Sequence, residues 1–319
     1  MPPLVSIIIP CLNAAPWLAK TISSCLSQTY QNIEVMFVDN GSSDGSVEIA
    51  KQFEGPKLLI AYCERKGASA ARNEGLHRAQ GNFIQYLDAD DILASDKIEI
   101  QINKLAESPQ NTIANGAWAR FKNDPSEAVF EPEAVWRDCS PQEFLISSWL
   151  GGGMMPLFGW LSPRLQVTLA GLWDESLSVN DDGDYFTRVA LASSGITFCG
   201  NAKGFYRTQA SSTLSQRADR EAAESDFKAI HQSCNHLLAI DDSIQSKRAC
   251  ATAYQRLVYR YYPDHMALTR RAEQMVSQLG GSNLAFGGGW RAKIVCSLLG
   301  WKAAKRLQHL KYRKMAEGN

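Results

Sequence analysis

The stretch FIQYLDADDIL, residues 83–93, closes a hydrophobic run with three carboxylates in four positions, Asp88, Asp90 and Asp91. Such groups repel one another unless a cation, a basic side chain or water offsets their charge. Two readings follow. The acids cap the helix predicted over ASDKIEIQINKL, with Asp91 or Ser95 as the cap, because Asp and Ser are good N-cap residues. Alternatively they gather a hard divalent ion through oxygen. A second acidic group, Asp181, Asp182 and Asp184 in SVNDDGDYFTR, stands at the start of another predicted helix. Capping accounts for these too, although a carboxylate at a helix start also points outward.

The elements that must position these acids are legible in the first hundred residues. LVSIIIP is a short, nearly continuous apolar run, which suits a strand buried on both faces of a parallel sheet. WLAKTISSCLSQTY sets Leu18, Ile22, Cys25 and Leu26 at helical spacing. Strands at IEVMFVD, KLLIAYC and NFIQYLD then alternate with helices at VEIAKQF and GASAARNEGLHRA. This alternation predicts βαβ units, a parallel sheet and right-handed crossovers. Ligands of open α/β sheets bind beyond the carboxyl ends of the strands. Asp39, Arg72 and the acids at 88–91 all fall at strand ends or on the helices that follow, so three separate segments converge on one rim.

The later pattern is less regular. ANGAWARFKND reads as a strand, SPQEFLISSWL and DYFTRVALASS as helices, ITFCG as a short strand, and KGFYRTQASSTLS as a strand entering a polar loop. GGGMMPLFGW reads either as a loop shaping a pocket around Trp160 or as a core connection. Tyr206, Arg207 and Ser211 read either as ligand contacts or as packing. The chain is mainly helical after about residue 216.

Composition limits the function classes. Thirty-three Lys and Arg balance thirty-three Asp and Glu, which gives no reason to expect nucleic acid. Eight cysteines, at 11, 25, 63, 139, 199, 234, 250 and 296, form no C-x-x-C pair or zinc-like spacing, and read as reduced thiols of a cytoplasmic protein. None of the five histidines has metal-ligand spacing. MPPLVSIIIPCLN has no basic leader before a signal-length apolar run, and no segment has the roughly 20 apolar residues of a membrane span. The tail has eight Lys or Arg from Arg291 to Lys314 and no acid between them, with Trp290, Ile294, Leu298 and Trp301 at helical spacing. It reads as a basic helix lying in an anionic membrane interface over 290–314, or as a helix packed on the protein with its basic face in water.

The ordered series VSIIIPCLN, VDNGSSDGS, GASAARNEG and YLDADD resembles the nucleotide-diphospho-sugar transferases of glycosyltransferase family 2. The resemblance covers residues 4–105 strongly and 150–215 more loosely. It implies a Rossmann-like GT-A fold with a mostly parallel mixed sheet: a catalytic domain over 1–215 and a helical extension over 216–319. By the same resemblance the chain is an inverting, metal-dependent, hexosyltransferase-like enzyme. It would move a sugar from a nucleotide donor, read as a UDP sugar, to a saccharide or lipid-linked acceptor in surface polysaccharide synthesis; the membrane reading of the basic tail would place this cytoplasmic protein against the inner face of the cell membrane. Asp88, Ala89 and Asp90 match the D-x-D motif, with Asp88 near the ribose or metal and Asp90 the main ligand of Mn²⁺ or Mg²⁺. Pro10, Cys11, Asn13 and Asp39 fall in donor-binding segments, Asp39 accepting from the base, and Arg72 falls near the diphosphate. Aligning the family's E-D pair with Asp181 and Asp182 makes Asp182 the candidate general base, with Asp181 and Asp184 as alternatives.

Two departures stand out. Leu12 occupies a place where the pattern has an aromatic, and Asn40 a place where it has Asp, which removes a charge from the base-binding turn. A nucleotide-cofactor oxidoreductase would show the same alternation, but SIIIPCLNAAPW lacks the G-x-G-x-x-G turn that dinucleotide binding needs. A noncatalytic nucleotide-sugar-binding or scaffold protein on the same fold is the remaining alternative.

Overall fold

The computed structural model describes residues 2–208, 217–287 and 289–317. The chain falls into two compact units, Met1–Gln216 and Arg217–Asn319.

Among its described residues the first unit carries eight strands: β1 (Val5–Cys11), β2 (Ile33–Asp39), β3 (Leu58–Tyr62), β4 (Phe83–Tyr86), β5 (Ile92–Leu93), β6 (Thr112–Phe121), β7 (Ser162–Pro163) and β8 (Gly195–Arg207). Strands β3, β2, β1 and β4 lie side by side and parallel, and β7 adds an antiparallel edge. All seven residues of β1 are buried, as a β-branched run covered on both faces must be. A second, three-stranded sheet has the order β5-β8-β6. The unit is therefore α/β, with a mixed, mostly parallel central sheet.

Seven helices complete the unit: α1 (Ala15–Leu26), α2 (Ser46–Lys51), α3 (Ala68–Arg78), α4 (Lys97–Ala106), α5 (Pro141–Ser147), α6 (Arg164–Ala170) and α7 (Asp181–Leu191). Helix α1 buries the expected Leu18, Ile22 and Cys25. Helix α3 has little amphipathic pattern and approaches the sheet through small residues instead. A Cβ on Gly75 would stand 2.4 Å from Ile8 Cγ2, so only glycine allows this separation. Helix α5 opens with a capping box between Ser140 and Glu143.

Two expectations need correction, and one open pair of readings is decided. The helix after the acids starts at Lys97 with Asp96 at its N-cap, so neither Asp91 nor Ser95 caps it; the intervening residues form β5. The segments ITFCG and KGFYR are one continuous strand, β8. Trp160 is buried against Phe144 and Phe186, with ring centroids 5.0 and 5.5 Å away, and belongs to the core connection.

The second unit is helical: α8 (Arg220–Ile240), α9 (Ile244–Tyr261), α10 (Met266–Gln278) and α11 (Trp290–Glu317). The seam expected along α11 is interrupted. The chain leaves helical geometry at Gly300 (φ 78°, ψ 164°), and Trp301 packs on Tyr259, Tyr262 and Phe286 at 5.0, 5.2 and 6.2 Å. Ile294, Leu298 and Leu299 are exposed, whereas the Trp290 side chain lies outside the described residues. Among the described residues, no helix is long and apolar enough to cross a membrane.

Candidate active site

Register sets the site. Cys11 at the end of β1 pairs with Asp39 at the end of β2, and Leu87 N–H, just past β4, donates to Ile8 O. The carboxyl ends of three neighbouring parallel strands thus open on one edge of the sheet, and two clusters form there.

The first cluster ties the β1–α1 turn to the β2–α2 turn. Asp39 is buried, and its carboxylate accepts the backbone N–H groups of Gly41 (3.0 Å) and Ser42 (3.1 Å), a local turn typical of Asp. Asn13, at φ 56°, donates its N–H to Ser42 Oγ (3.0 Å) and accepts from Ser43 N–H (2.8 Å). Ala14 N–H reaches Ser46 Oγ, and Ala15 N–H reaches Asp44. Pro10 and Cys11 are buried at the end of β1, and burial pushes the Cys11 thiol up, so it stays neutral. Leu12 is 56% exposed above this turn.

Asn40 does something its sequence position does not announce. Its amide donates to the carbonyls of Cys63 (3.0 Å) and Arg65 (2.7 Å) and accepts from Gly67 N–H (2.8 Å), which anchors the loop entering α3. A carboxylate could not make the two donations.

The second cluster joins the other acidic segments. Arg72 is buried; its Nη2 donates to Asp88 Oδ1 (3.0 Å) and its Nη1 to Asp181 Oδ2 (2.6 Å). Burial opposes the guanidinium charge, but Asp181 and Asp88 more than offset it, so its pKa is raised. The guanidinium lies 4.5 Å from the centroid of the Trp173 ring. Asp181 Oδ2 also accepts from Ser69 Oγ (2.9 Å). Asp88 and Asp90 are partly exposed on the rim, and the Asp88 side chain keeps 38% of its surface open. Ala89 is buried, and its carbonyl accepts from Thr21 Oγ1 at 3.0 Å.

Asp91 faces inward. Its Oδ1 accepts from Arg207 N–H (2.8 Å), while Arg207 Nε donates to Asp90 O (2.8 Å). Burial, then the charges of Asp90 and Asp88, raise the Asp91 pKa well above the usual carboxylate range. Arg207 therefore fixes the acid loop from β8. Tyr206 borders the same loop; burial and then the charges of Asp91, Asp88 and Asp90 push its hydroxyl up to about 12. Ser211 lies outside the described residues.

The three acids of α7 separate by environment. Asp181 is held by Ser69 and Arg72. Asp184 is buried and paired with Arg188 at 2.8 Å, and Arg188 also donates to Ala170 O, so Asp184 is a structural ion pair. Asp182 is partly exposed; its Oδ1 accepts from the adjacent Gly183 N–H at 2.9 Å. Burial, then Asp181, push the Asp182 pKa up to about 6, against the pull of Arg72.

Residues 6–143 match the family model described as glycosyl transferase family 2. Over that segment the chain is similar to glycosyltransferase family 2. Among curated relatives, a glycosyltransferase of Haemophilus influenzae is 43% identical over 109 residues, 33% of this chain and 44% of that protein. Glycosyltransferase GlyA of Streptococcus pneumoniae is 38% identical over 128 residues, 40% of this chain and 18% of that protein. The chain thus spans less than half the length of either. S. aureus TarS 1–349 in complex with UDP-GlcNAc has a similar fold, with a TM-score of 0.61 at 13% identity, over 97% of this chain and 91% of TarS.

Ser69, Trp173 and Ser42 were not singled out from the sequence, although Ser42 lies in VDNGSSDGS and Ser69 lies one helical turn before Arg72 on α3 and shares its face.

Proposed function

We propose that the first unit transfers a sugar, with inversion, from a nucleoside diphosphate sugar to a hydroxyl of a saccharide or lipid-linked acceptor. The observation that carries this reading is the bridge from Asp88 through Arg72 to Asp181, which brings the D-x-D loop and the acidic start of α7 onto one rim. In a single displacement the acceptor oxygen bonds to the anomeric carbon while the bond from that carbon to the diphosphate oxygen breaks. The hydroxyl proton passes to Asp182, and the electron pair leaves with the nucleoside diphosphate. Asp182 suits this task because a pKa of about 6 leaves it ionised at neutral pH yet basic enough to take a proton.

Asp88 and Asp90 fit a divalent ion by their hard oxygen donors and rim position. Two carboxylates are a common protein share of a Mg²⁺ site, with substrate phosphates and water completing it. Bound there, Mg²⁺ or Mn²⁺ would offset the charge growing on the departing diphosphate. The Arg72 guanidinium adds a permanent positive charge beside Asp88. Exposed Leu12 gives the nucleobase an apolar surface beside Asn13 and the Asp39 turn.

The donor is read as a UDP sugar, since TarS of the same fold is seen with UDP and with UDP-GlcNAc. Eight free thiols suit a reducing, cytoplasmic setting. The basic stretch 290–314, with Ile294, Leu298 and Leu299 exposed, suits peripheral contact with an anionic membrane that carries the acceptor.

Calorimetric titration with UDP, GDP, dTDP and NAD, with and without Mn²⁺, tests the donor site. The expected outcome is Mn²⁺-dependent binding of UDP that disappears in Asp90→Ala. Metal-independent binding of NAD, or no nucleotide binding by folded protein, would overturn the reading in favour of an oxidoreductase or a scaffold.

A further inference from the structure

We propose that Asp181 is a positioning residue: gripped by Ser69 and Arg72, its carboxylate fixes the first turn of α7 so that Asp182 meets the acceptor hydroxyl. This rests on the reading of Asp182 as the base and assigns its neighbour a different task.

The first turn of α7 is tightly constrained, and α3 adds support to it from outside the helix. Asn180 at the N-cap is left-handed (φ 58°) and makes no side-chain cap. A Cβ on Gly183 would stand 2.1 Å from Asn180 Oδ1, so a larger residue there would have to displace the Asn180 side chain. The outside support comes from α3. Ser69, Arg72 and Asn73 fall at i, i+3 and i+4, one face of that helix. Ser69 and Arg72 both bond Asp181 Oδ2. Asn73 exchanges two hydrogen bonds with the Trp173 backbone, at 3.0 and 2.9 Å. The Trp173 ring lies beneath Arg72 and stacks on Tyr185, one turn along α7, with centroids 3.9 Å apart and planes 9° apart. One face of α3 thus clamps α7 at Asp181 and at Tyr185. Asp182 lies between the two holds, and its Oδ1 accepts a local hydrogen bond from Gly183 N–H.

The test is steady-state hydrolysis of UDP-GlcNAc with Mn²⁺, followed as UDP release with water as acceptor, together with calorimetric UDP binding and a melting temperature for each variant. Asp181→Asn is expected to lower kcat by at least about tenfold, the scale of a misplaced reacting group, while the donor KM stays within about threefold. Ser69→Ala should lower kcat less, and Ser69→Thr, which keeps the hydroxyl, should restore it. Wild-type kcat in Asp181→Asn, a loss confined to KM or UDP affinity, or Ser69→Thr no better than Ser69→Ala would each overturn the proposal. Should Asp181→Asn fold poorly, the Ser69 pair decides. Asp182→Asn separates the two readings. If it retains turnover, the base assignment fails; if it is inactive while Asp181→Asn and Ser69→Ala are unaffected, only the positioning role fails.

Discussion

Asp182 holds its proton up to about pH 6 because burial and the neighbouring Asp181 charge both disfavour its ionised form. Two opposite pH dependences follow. As the base it must be ionised, so kcat/KM should fall below about pH 6. For stability the sign is reversed: the folded-state pKa lies above the ordinary 3.8, so Asp182 contributes stability below that value and loses it as pH rises through about 6. Asp182→Asn should therefore lower turnover by about 10²–10⁴-fold without lowering the melting temperature at pH 7, and should flatten the pH dependence of melting between 4 and 6. Paired rate and melting profiles check both signs. Asn40 makes a second prediction. Asn40→Asp sets a carboxylate against the Cys63 and Arg65 carbonyls and should cost about 1–3 kcal/mol or more at pH 7, since it leaves buried groups unpaired. Denaturant titration should show part of the loss recovered at low pH, where a protonated acid again donates.

Helix α3 determines how closely the clamp approaches the sheet. Gly75→Val would drive side-chain carbons into Ile8 and Val38, and should cost about 1–3 kcal/mol by overpacking. Its lowered denaturation midpoint should be accompanied by a loss of turnover, because Ser69 and Arg72 would move with the helix. The strands and helices of the first hundred residues were legible because buried parallel strands are written as continuous apolar runs. Strand β5 was not, since two residues carry no period. Strand β8 read as two pieces because exposed Gly200 and Asn201 interrupt its apolar pattern. The acids were visible as charges, but their division of labour was not. Ser69 finds Asp181 112 positions away, and Asp184 is distinguished from Asp182 only by the Arg188 that seals it. Asn40 looked like a lost charge because its partners are backbone carbonyls, which sequence does not mark.

Across the whole molecule, the two units carry different parts of the reading. Residues 6–143 match the family model, whereas the basic tail lies in the second unit. The Gly300 break gives that tail two characters: Trp301 and Lys302 are held, with Lys302 paired to Glu273 at 2.8 Å, whereas Leu298 and Leu299 are open. Replacing Leu298 and Leu299 together by Glu should abolish co-sedimentation with phosphatidylglycerol vesicles and leave hydrolysis of soluble UDP-GlcNAc unchanged. Equal sedimentation of wild type and variant would remove the membrane role of this segment.

The acid loop between β4 and β5 is held at both ends by different sheets. Leu87 N–H bonds β1 in the large sheet, and Ile92 pairs with Phe205 of β8 in the small one. Arg207, at the end of β8, holds the backbone of Asp90 and the side chain of Asp91. In a scan of all single substitutions, β8 should therefore tolerate change as poorly as the acids themselves, although none of its residues needs to touch a substrate. A family member could vary its acceptor loops freely, but this strand's alignment would have to be inherited together with the D-x-D sequence, as one unit of heredity.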